Sequence, residues 1–368
     1  MKLLSKLAVE GFRGIHDLEI DHLSQVNLIV GDNNCGKTSL LEAIQFLRSS
    51  RSLANIYRIA RQRENTFLVS TNSIYDNIIC MFPKCERGLE IKLSAIYDGS
   101  MISFDLLGKE SRELLDLNEL NKWVYQGLAK EFAEVNNETE TDVLECQSIY
   151  MVNGQSTNET FRINRFSRIT GTPIHQDERI KITYVSPFEH LKGSRINQII
   201  KDDSYKKNCI GALQLFDPDI EDMMIFKSDV GNWSVEYLKH KRLGNMPLST
   251  YGDGIKKVLV LANAIVGAAN GILLIDEIET AIHKKYYDDI FRFIVKACGA
   301  FNVQAFITTH SIEAIDGLLE TQDYEKQNES DAITVVTLKR QDQKTYARVL
   351  SGREVHENRE AFGFEVRI

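Results

Sequence analysis

Eight residues near the N-terminus have the types and the spacing needed to hold phosphate. Gly31-Asp32-Asn33-Asn34-Cys35-Gly36-Lys37-Thr38 satisfies the pattern G-x-x-x-x-G-K-[ST]. A glycine at each end lets the backbone wrap closely around an anion. The amides of Asn33, Asn34, Cys35 and Gly36, and the start of the helix that follows, then face negative charge. Lys37 can reach the β- and γ-phosphates of a nucleotide, Thr38 can offer its hydroxyl to Mg2+, and Ser39 can donate to a phosphate oxygen. Cys35 needs to contribute only its backbone.

A second segment supplies carboxylates. ILLIDE, at 272–277, reads as a buried strand that ends in Asp276 and Glu277. At the carboxyl edge of an open α/β sheet, where ligands bind, Asp276 would hold Mg2+ through water. Glu277 would orient and deprotonate an attacking water.

The elements that must carry these groups are legible as alternating patterns. VNLIV, at 26–30, is a short β-branched run before the loop, and TSLLEAIQFLR, at 38–48, has apolar residues at helical spacing. In the last third, IKKVLVLANAIVGAAN reads as a helix before ILLID, KKYYDDIFRFIVKACG as a helix after it, VQAFITT as a strand and SIEAIDGLLE as a helix. That alternation implies parallel crossovers and a doubly wound sheet. AITVVTL and TYARVLS read as a hairpin across RQDQ. From about 66 to 185, runs such as LEIKLSAIY and FRINRF suggest an antiparallel sheet or β-rich insertion, with the acidic window 131–145 as a solvated loop. The expected organisation is an N-terminal lobe with the phosphate loop (1–65), a β-rich part and insertion (66–185), a helical lobe (186–245), and a C-terminal part with the acidic strand and the hairpin (246–368).

Composition narrows the class. The 368 residues are 43% hydrophobic and 26% charged, values of an ordinary globular chain, which excludes disorder throughout. No run approaches about 18 uninterrupted apolar residues, and charges at Lys2, Lys6, Glu10 and Arg13 break the N-terminal stretch, so a cytoplasmic protein without a membrane partner is expected. Six cysteines show neither metal-ligand spacing nor a small disulfide framework. With 44 basic and 52 acidic side chains the net charge is −8, so nucleic acid could bind only at a local basic patch. Arg48, Arg51, Arg58, Arg61 and Arg63, with Tyr57 among them and no acid before Glu64, form the one basic run of note. Its alternative reading is a solvated helix face.

Two further motifs complete a set. Leu248-Ser249-Thr250-Tyr251-Gly252-Asp253-Gly254 opens a helix ahead of the acidic strand, and Thr308-Thr309-His310-Ser311 ends the strand after it. In this order the motifs resemble those of ABC-type ATPases, in the branch that holds RecF, Rad50, SMC heads and the OLD-family ATPases. Gly11-Phe12-Arg13-Gly14-Ile15 looks like that branch's opening strand motif. GDNNCGKTSLLEAI, STYGDG, LLIDEIE and FITTHS together look like the stand-alone ATPase subunits of bacterial antiphage systems.

The resemblance covers residues 1 to about 50 and 245 to 315. It implies an α/β fold, an ABC-type P-loop ATPase head with a doubly wound sheet and a β-rich and helical insertion, and ATP with Mg2+ as cofactors. It makes Ser249, Gly252 and Gly254 a signature that touches the γ-phosphate held by a partner subunit, with Asp253 a departure from the usual pattern. His310 would sense the γ-phosphate and act with Glu277 and Lys37 in catalysis. Glu279 to His283 would form the loop between opposed subunits, and Arg13 would lie near the nucleotide. The sequence assigns no glutamine-loop counterpart; the Asp76 to Phe82 region is the candidate considered.

A signature that works in trans implies a homo-oligomer, at least a dimer sandwiching two ATP molecules. No heptad run is long enough for a coiled-coil arm. Only 55 residues follow Glu313, too few for the nuclease domain of OLD proteins, so a separately encoded effector, plausibly a toprim-like nuclease, is expected as partner, with weak DNA binding at most. The alternatives are a RecF-like DNA-repair ATPase that binds DNA directly and an ATP-dependent sensor or scaffold with little turnover.

Overall fold

The computed structural model describes residues 3–48, 52–63, 72–83, 88–116, 138–167, 180–192, 196–228, 231, 233–324, 332–342 and 344–367. Strands β1 (Leu4–Phe12) and β2 (Ile15–Ile20) form an antiparallel pair that turns at Arg13 and Gly14. Next comes β3 (Val26–Gly31), buried at every position as a strand covered on both faces must be. The phosphate-loop motif leads from it into α1 (Lys37–Ile44), which tightens into a 3-10 turn at Gln45–Arg48. Helix α2 (Leu53–Ala60) starts at a Ser52 cap, and α3 (Ile74–Ile79) at a capping box made by Ser73 and Asp76.

Strands β4 (Leu89–Tyr97), β5 (Ser100–Asp116), β6 (Glu138–Val152) and β7 (Gln155–Asn164) extend the first pair into a six-stranded antiparallel sheet, ordered β2-β1-β4-β5-β6-β7. The β-rich reading of this region holds. The acidic window does not hold as a loop: residues 138–145 pair with β5 in unbroken register, because the ladder satisfies their backbone whatever the side-chain charge. Residues 131–137 lie outside the described residues.

After β8 (Ile182–Val185) the expected helical lobe is only partly helical. One helix, α4 (Asp203–Leu213), is followed by a three-stranded antiparallel sheet of β9 (Ile220–Lys227), β10 (Ser234–His240) and β11 (Gly244–Pro247). On β10 the buried positions Glu236, Leu238 and His240 alternate with half-exposed Val235 and Tyr237, a strand pattern that the coarse reading overlooked because two of its three buried residues are polar.

The last third follows the α/β grammar: α5 (Asp253–Gly267), β12 (Ile272–Ile275), α6 (Tyr287–Ala300), β13 (Gln304–Thr308), α7 (Ile312–Leu319), the hairpin β14 (Ile333–Gln341) and β15 (Lys344–Ser351), and α8 (Gly352–Phe362). The central sheet is ordered β15-β14-β3-β13-β12-β8, parallel except for the antiparallel β15 edge. Alternation along β3 divides the core. Val26, Leu28 and Val30 pack with α5, α6 and α7 on one face, and Ile29 packs with α1 and the antiparallel sheet on the other.

Candidate functional site

The carboxyl ends of β3, β12, β13 and β8 meet at one edge of the central sheet. At β3, the chain leaves the strand at Gly31 with φ +140°, and a Cβ there would lie 2.2 Å from the carbonyl oxygen of Leu338 on β14. Only glycine fits so close to that strand. Asn34 and Gly36 also have positive φ, and Gly36 caps α1, so the loop curls back over the helix N-terminus.

Lys37 is buried, and its Nζ donates to the carbonyls of Gly31 and Asp32, both at 2.7 Å. Burial lowers its pKa, against the pull of the Cys35 sulfur and of Asp276 and Asp32. The Cys35 thiol is buried 3.7 Å from the ammonium, and burial pushes its pKa up, so it stays a thiol.

Asp276, just past β12, is the hub. It accepts from the Thr38 hydroxyl at 3.1 and 3.2 Å, from the Thr308 hydroxyl at 2.6 Å and from the Tyr184 hydroxyl at 3.2 Å. Four elements thus fix one carboxylate: α1, β12, β13 and β8. Burial, with Asp276 and Glu42 nearby, pushes the Tyr184 pKa far up, so the phenol remains a donor. Thr308 also accepts the backbone N–H of Glu277 at 2.8 Å. Glu277 itself is in the left-handed region, φ +49°, and its carboxylate accepts from Thr280 at 3.3 Å. Two residues further on the same turn, Glu279 accepts the backbone N–H of His310 at 2.8 Å, while the His310 carbonyl accepts from Arg367 at 3.0 Å.

On the other side of the loop, Glu42 is fully buried on α1. It pairs with Arg63 through both oxygens, at 2.7 and 2.8 Å, and its Oε2 lies 2.9 Å from Arg13 Nε. Arg63 continues to the Ser39 hydroxyl at 2.8 Å. Between these walls is a cavity of about 270 Å3, bordered by Arg13, Gly14, Arg63, His310 and Arg340 and floored by the loop and Lys37, Thr38 and Ser39.

Most of the residues singled out in the sequence therefore converge. Asn33, Asn34, Gly36, Lys37, Thr38, Ser39, Arg13 and His310 line the cavity; Asp276 touches its wall through Thr38, and Glu277 follows Asp276 in the chain. Ser249, Gly252 and Gly254 do not line it. Ser249 is exposed on the 3-10 turn before α5, Gly252 is the N-cap of α5, and Gly254 packs toward the Ala281 carbonyl.

Two expectations need correction. Among the described residues, the Asp76 to Phe82 region reaches the site only through Arg13, whose backbone N–H donates to the Met81 carbonyl at 2.7 Å; Asp76 itself caps α3 and lies 3.7 Å from Arg165. The third strand end that reaches Asp276 is β8, because β8 pairs in register with β12 and so delivers Tyr184. The arginine run is also not a single outward patch. Arg63 turns inward to Glu42 and Ser39, the Arg61 guanidinium lies over the Tyr57 ring at 5.3 Å, and Arg51 is outside the described residues. Composition and spacing gave no role to Glu42, Tyr184, Thr308 or Arg340. A lone acid inside the apolar face of SLLEAI was the available signal for Glu42.

The donors around Asp276 fit a hard divalent cation. The Thr38 hydroxyl and the Asp276 carboxylate are oxygen ligands in mutual contact, the set that Mg2+ uses beside phosphate.

A family model described as AAA ATPase domain matches residues 1–214, more than half of the chain, and a second AAA domain model matches residues 152–316. An "ATP/GTP phosphatase" of Helicobacter pylori is 22% identical over 95% of this chain and 96% of its own length. The DNA replication and repair protein RecF of Pseudoalteromonas translucida is 32% identical over 120 residues, which are 32% of this chain and 30% of that protein. Among solved structures, an SMC head bound to the C-terminal winged-helix domain of ScpA superposes with a TM-score of 0.51 at 13% identity, over 96% of this chain and 99% of that one. An SMC head with an extended coiled coil, bound to a ScpA domain derived from Pyrococcus furiosus, gives a TM-score of 0.51 at 11% identity, over 99% and 100%. The fold is that of an SMC-like, ABC-type head with mixed sheets. Among the described residues no helix is long and apolar enough to cross a membrane.

Proposed function

The chain belongs to the AAA ATPase domain family, as a P-loop ATPase of the AAA, RecF and SMC kind, and from that premise we propose that it binds ATP with Mg2+ and hydrolyses it at the edge of the central sheet. The observation that carries this reading is the Asp276 hub, where one carboxylate joins the Thr38 hydroxyl of the loop to Thr308 and, through it, to the Glu277 backbone.

In this reading Lys37 leaves the loop carbonyls for the β- and γ-phosphates, and the amides from Asn33 to Thr38 bind the same oxygens. Thr38 and Asp276 hold Mg2+, which neutralises charge on the phosphates when bound. Glu277 accepts the proton of the attacking water; its carboxylate is held by the Thr280 hydroxyl. His310, fixed through its backbone by Glu279 and Arg367, faces the γ-phosphate. Arg13 and Arg63, both tied to Glu42, border the phosphates. Calorimetric titration with ATP tests the site. Lys37→Ala is expected to abolish binding, and unchanged affinity overturns the assignment.

The separation of Ser249, Gly252 and Gly254 from the cavity supports completion of the site by a second copy of the chain. The active form in this reading is a homo-oligomer with ATP between Lys37 of one subunit and Ser249 of the next. Its cellular role is control of a separately encoded effector, such as a toprim-like nuclease, in antiphage defence in the cytoplasm. That role rests on the motif set GDNNCGKTSLLEAI, STYGDG, LLIDEIE and FITTHS. Phage challenge of bacteria carrying the gene cluster with and without Lys37→Ala tests it; equal protection by both overturns it. The RecF-like alternative draws on the local identity to RecF, whereas the splitting of the arginine run works against a dedicated DNA surface.

A further inference from the structure

The hairpin of β14 and β15 reaches the same cavity from the opposite end of the chain. Arg340 and Thr345 are directly paired across it, so their side chains stand on one face. That face meets the two glycines of the nucleotide edge. A Cβ on Gly14 would lie 3.4 Å from Arg340 Nη1, and a Cβ on Gly36 would lie 4.0 Å from Thr345 Oγ1.

The two side chains share an unusual condition. Thr345 is 3% exposed, yet its hydroxyl has no hydrogen-bond partner among the described residues. Buried hydroxyls are as a rule satisfied, so one that is not, set against the cavity-lining Gly36, points to a group that arrives later. Arg340 is exposed at the cavity rim, and its guanidinium has neither a hydrogen bond nor an ion pair among the described residues. The other cations of the cavity are engaged: Lys37 with loop carbonyls, Arg13 and Arg63 with Glu42. Arg340 is therefore the cavity cation that would lose no protein contact on binding an anion, and a planar guanidinium suits paired phosphate oxygens.

We propose that Arg340, with Thr345 beside it, is a phosphate-binding wall contributed in cis by the C-terminal hairpin, holding phosphate oxygens of the nucleotide seated in the loop. The inference rests on the nucleotide reading of the loop. It adds a residue of the chain's own last strands to a site whose other phosphate ligands come from the β1–β2 turn, the loop after β3, α1, the segment after α2 and the end of β13.

Calorimetry with two probes, ATP and inorganic tripolyphosphate, tests it on the full chain. Arg340→Ala should weaken both by roughly tenfold or more, and Arg340→Lys should recover part of the loss, because it keeps the charge without the planar fork. Thr345→Val, nearly isosteric, should weaken both in the same direction by less. Arg340→Ala binding both probes within twofold of the unaltered chain overturns the proposal, as does a loss confined to ATP, which would assign Arg340 to the base or ribose. Lys37→Ala is the parallel control. If it binds ATP like the unaltered chain, the phosphate-loop reading fails and the proposal with it; if it loses binding while Arg340→Ala does not, only the hairpin assignment fails. Arg340 is exposed, so its variants should retain the melting temperature.

Discussion

Glu42 and Arg63 form a two-pronged ion pair in which the carboxylate is fully enclosed and the guanidinium is about half exposed, its side chain 46% accessible. The pair bridges α1 to the segment after α2, and the same guanidinium holds the hydroxyl of Ser39, one residue past the metal-site threonine. An acid placed for structure thus sets the position of two arginines at the phosphate cavity.

Glu42→Ala should leave the Arg13 guanidinium buried beside no carboxylate. The expected loss is about 2 kcal/mol, less than for a fully enclosed pair because water screens Arg63. Thermal unfolding without nucleotide reads this loss. A variant as stable as the original would show that water replaces the carboxylate at no cost.

Glu277→Gln should bind ATP normally and hydrolyse it roughly 100-fold more slowly or worse, since the amide keeps the shape but cannot take the proton. With turnover blocked, ATP should hold two subunits together, and Ser249→Arg should prevent that closure while each loop still binds nucleotide. Light scattering with and without ATP separates the two variants. A Glu277→Gln protein that neither loses turnover nor gains mass with ATP contradicts the sandwich mechanism.

Lys257, on α5, is fully buried, with Nζ 3.5 Å from the Pro187 carbonyl. Burial pushes its pKa down to about 8, although Glu279, Asp276 and Glu277 draw it upward. In the unfolded chain this lysine stays protonated to about 10.5. Between those values the unfolded state binds the extra proton, so the group's contribution to stability rises as pH increases through the window. Urea unfolding from pH 7.5 to 9.5 should show the rise, and Lys257→Met should flatten it. An unchanged slope in the variant would assign the pH dependence to other groups.

The parts of the site that could be read in the sequence are those whose chemistry is local. The loop from Gly31 to Thr38 and the acidic end of β12 carry their own spacing, and the strand and helix around each follow from hydrophobic pattern. What could not be read depends on pairings between distant segments. Tyr184 reaches Asp276 only because β8 lies beside β12, and Arg340 reaches Gly14 only because β14 lies beside β3. The missed sheet at β9 to β11 has a different cause. Its strands are half-exposed and bury polar residues such as Glu236 and His240, so the period-2 apolar signal that would have marked them is diluted.

The flanks of β3 have a consequence for the order of events at synthesis. Both of its neighbours, β13 and β14, come from the last third of the chain, with Val26 paired to Ala305 on one side and to Ile333 on the other. While the ribosome is still making the middle of the protein, the strand that carries the phosphate loop has no ladder on either edge. The long sequence separations make closure of the central sheet a slow step. A chain that stops before β14 has the complete loop motif, but its β3 lacks one of the two strands that flank it in the finished sheet.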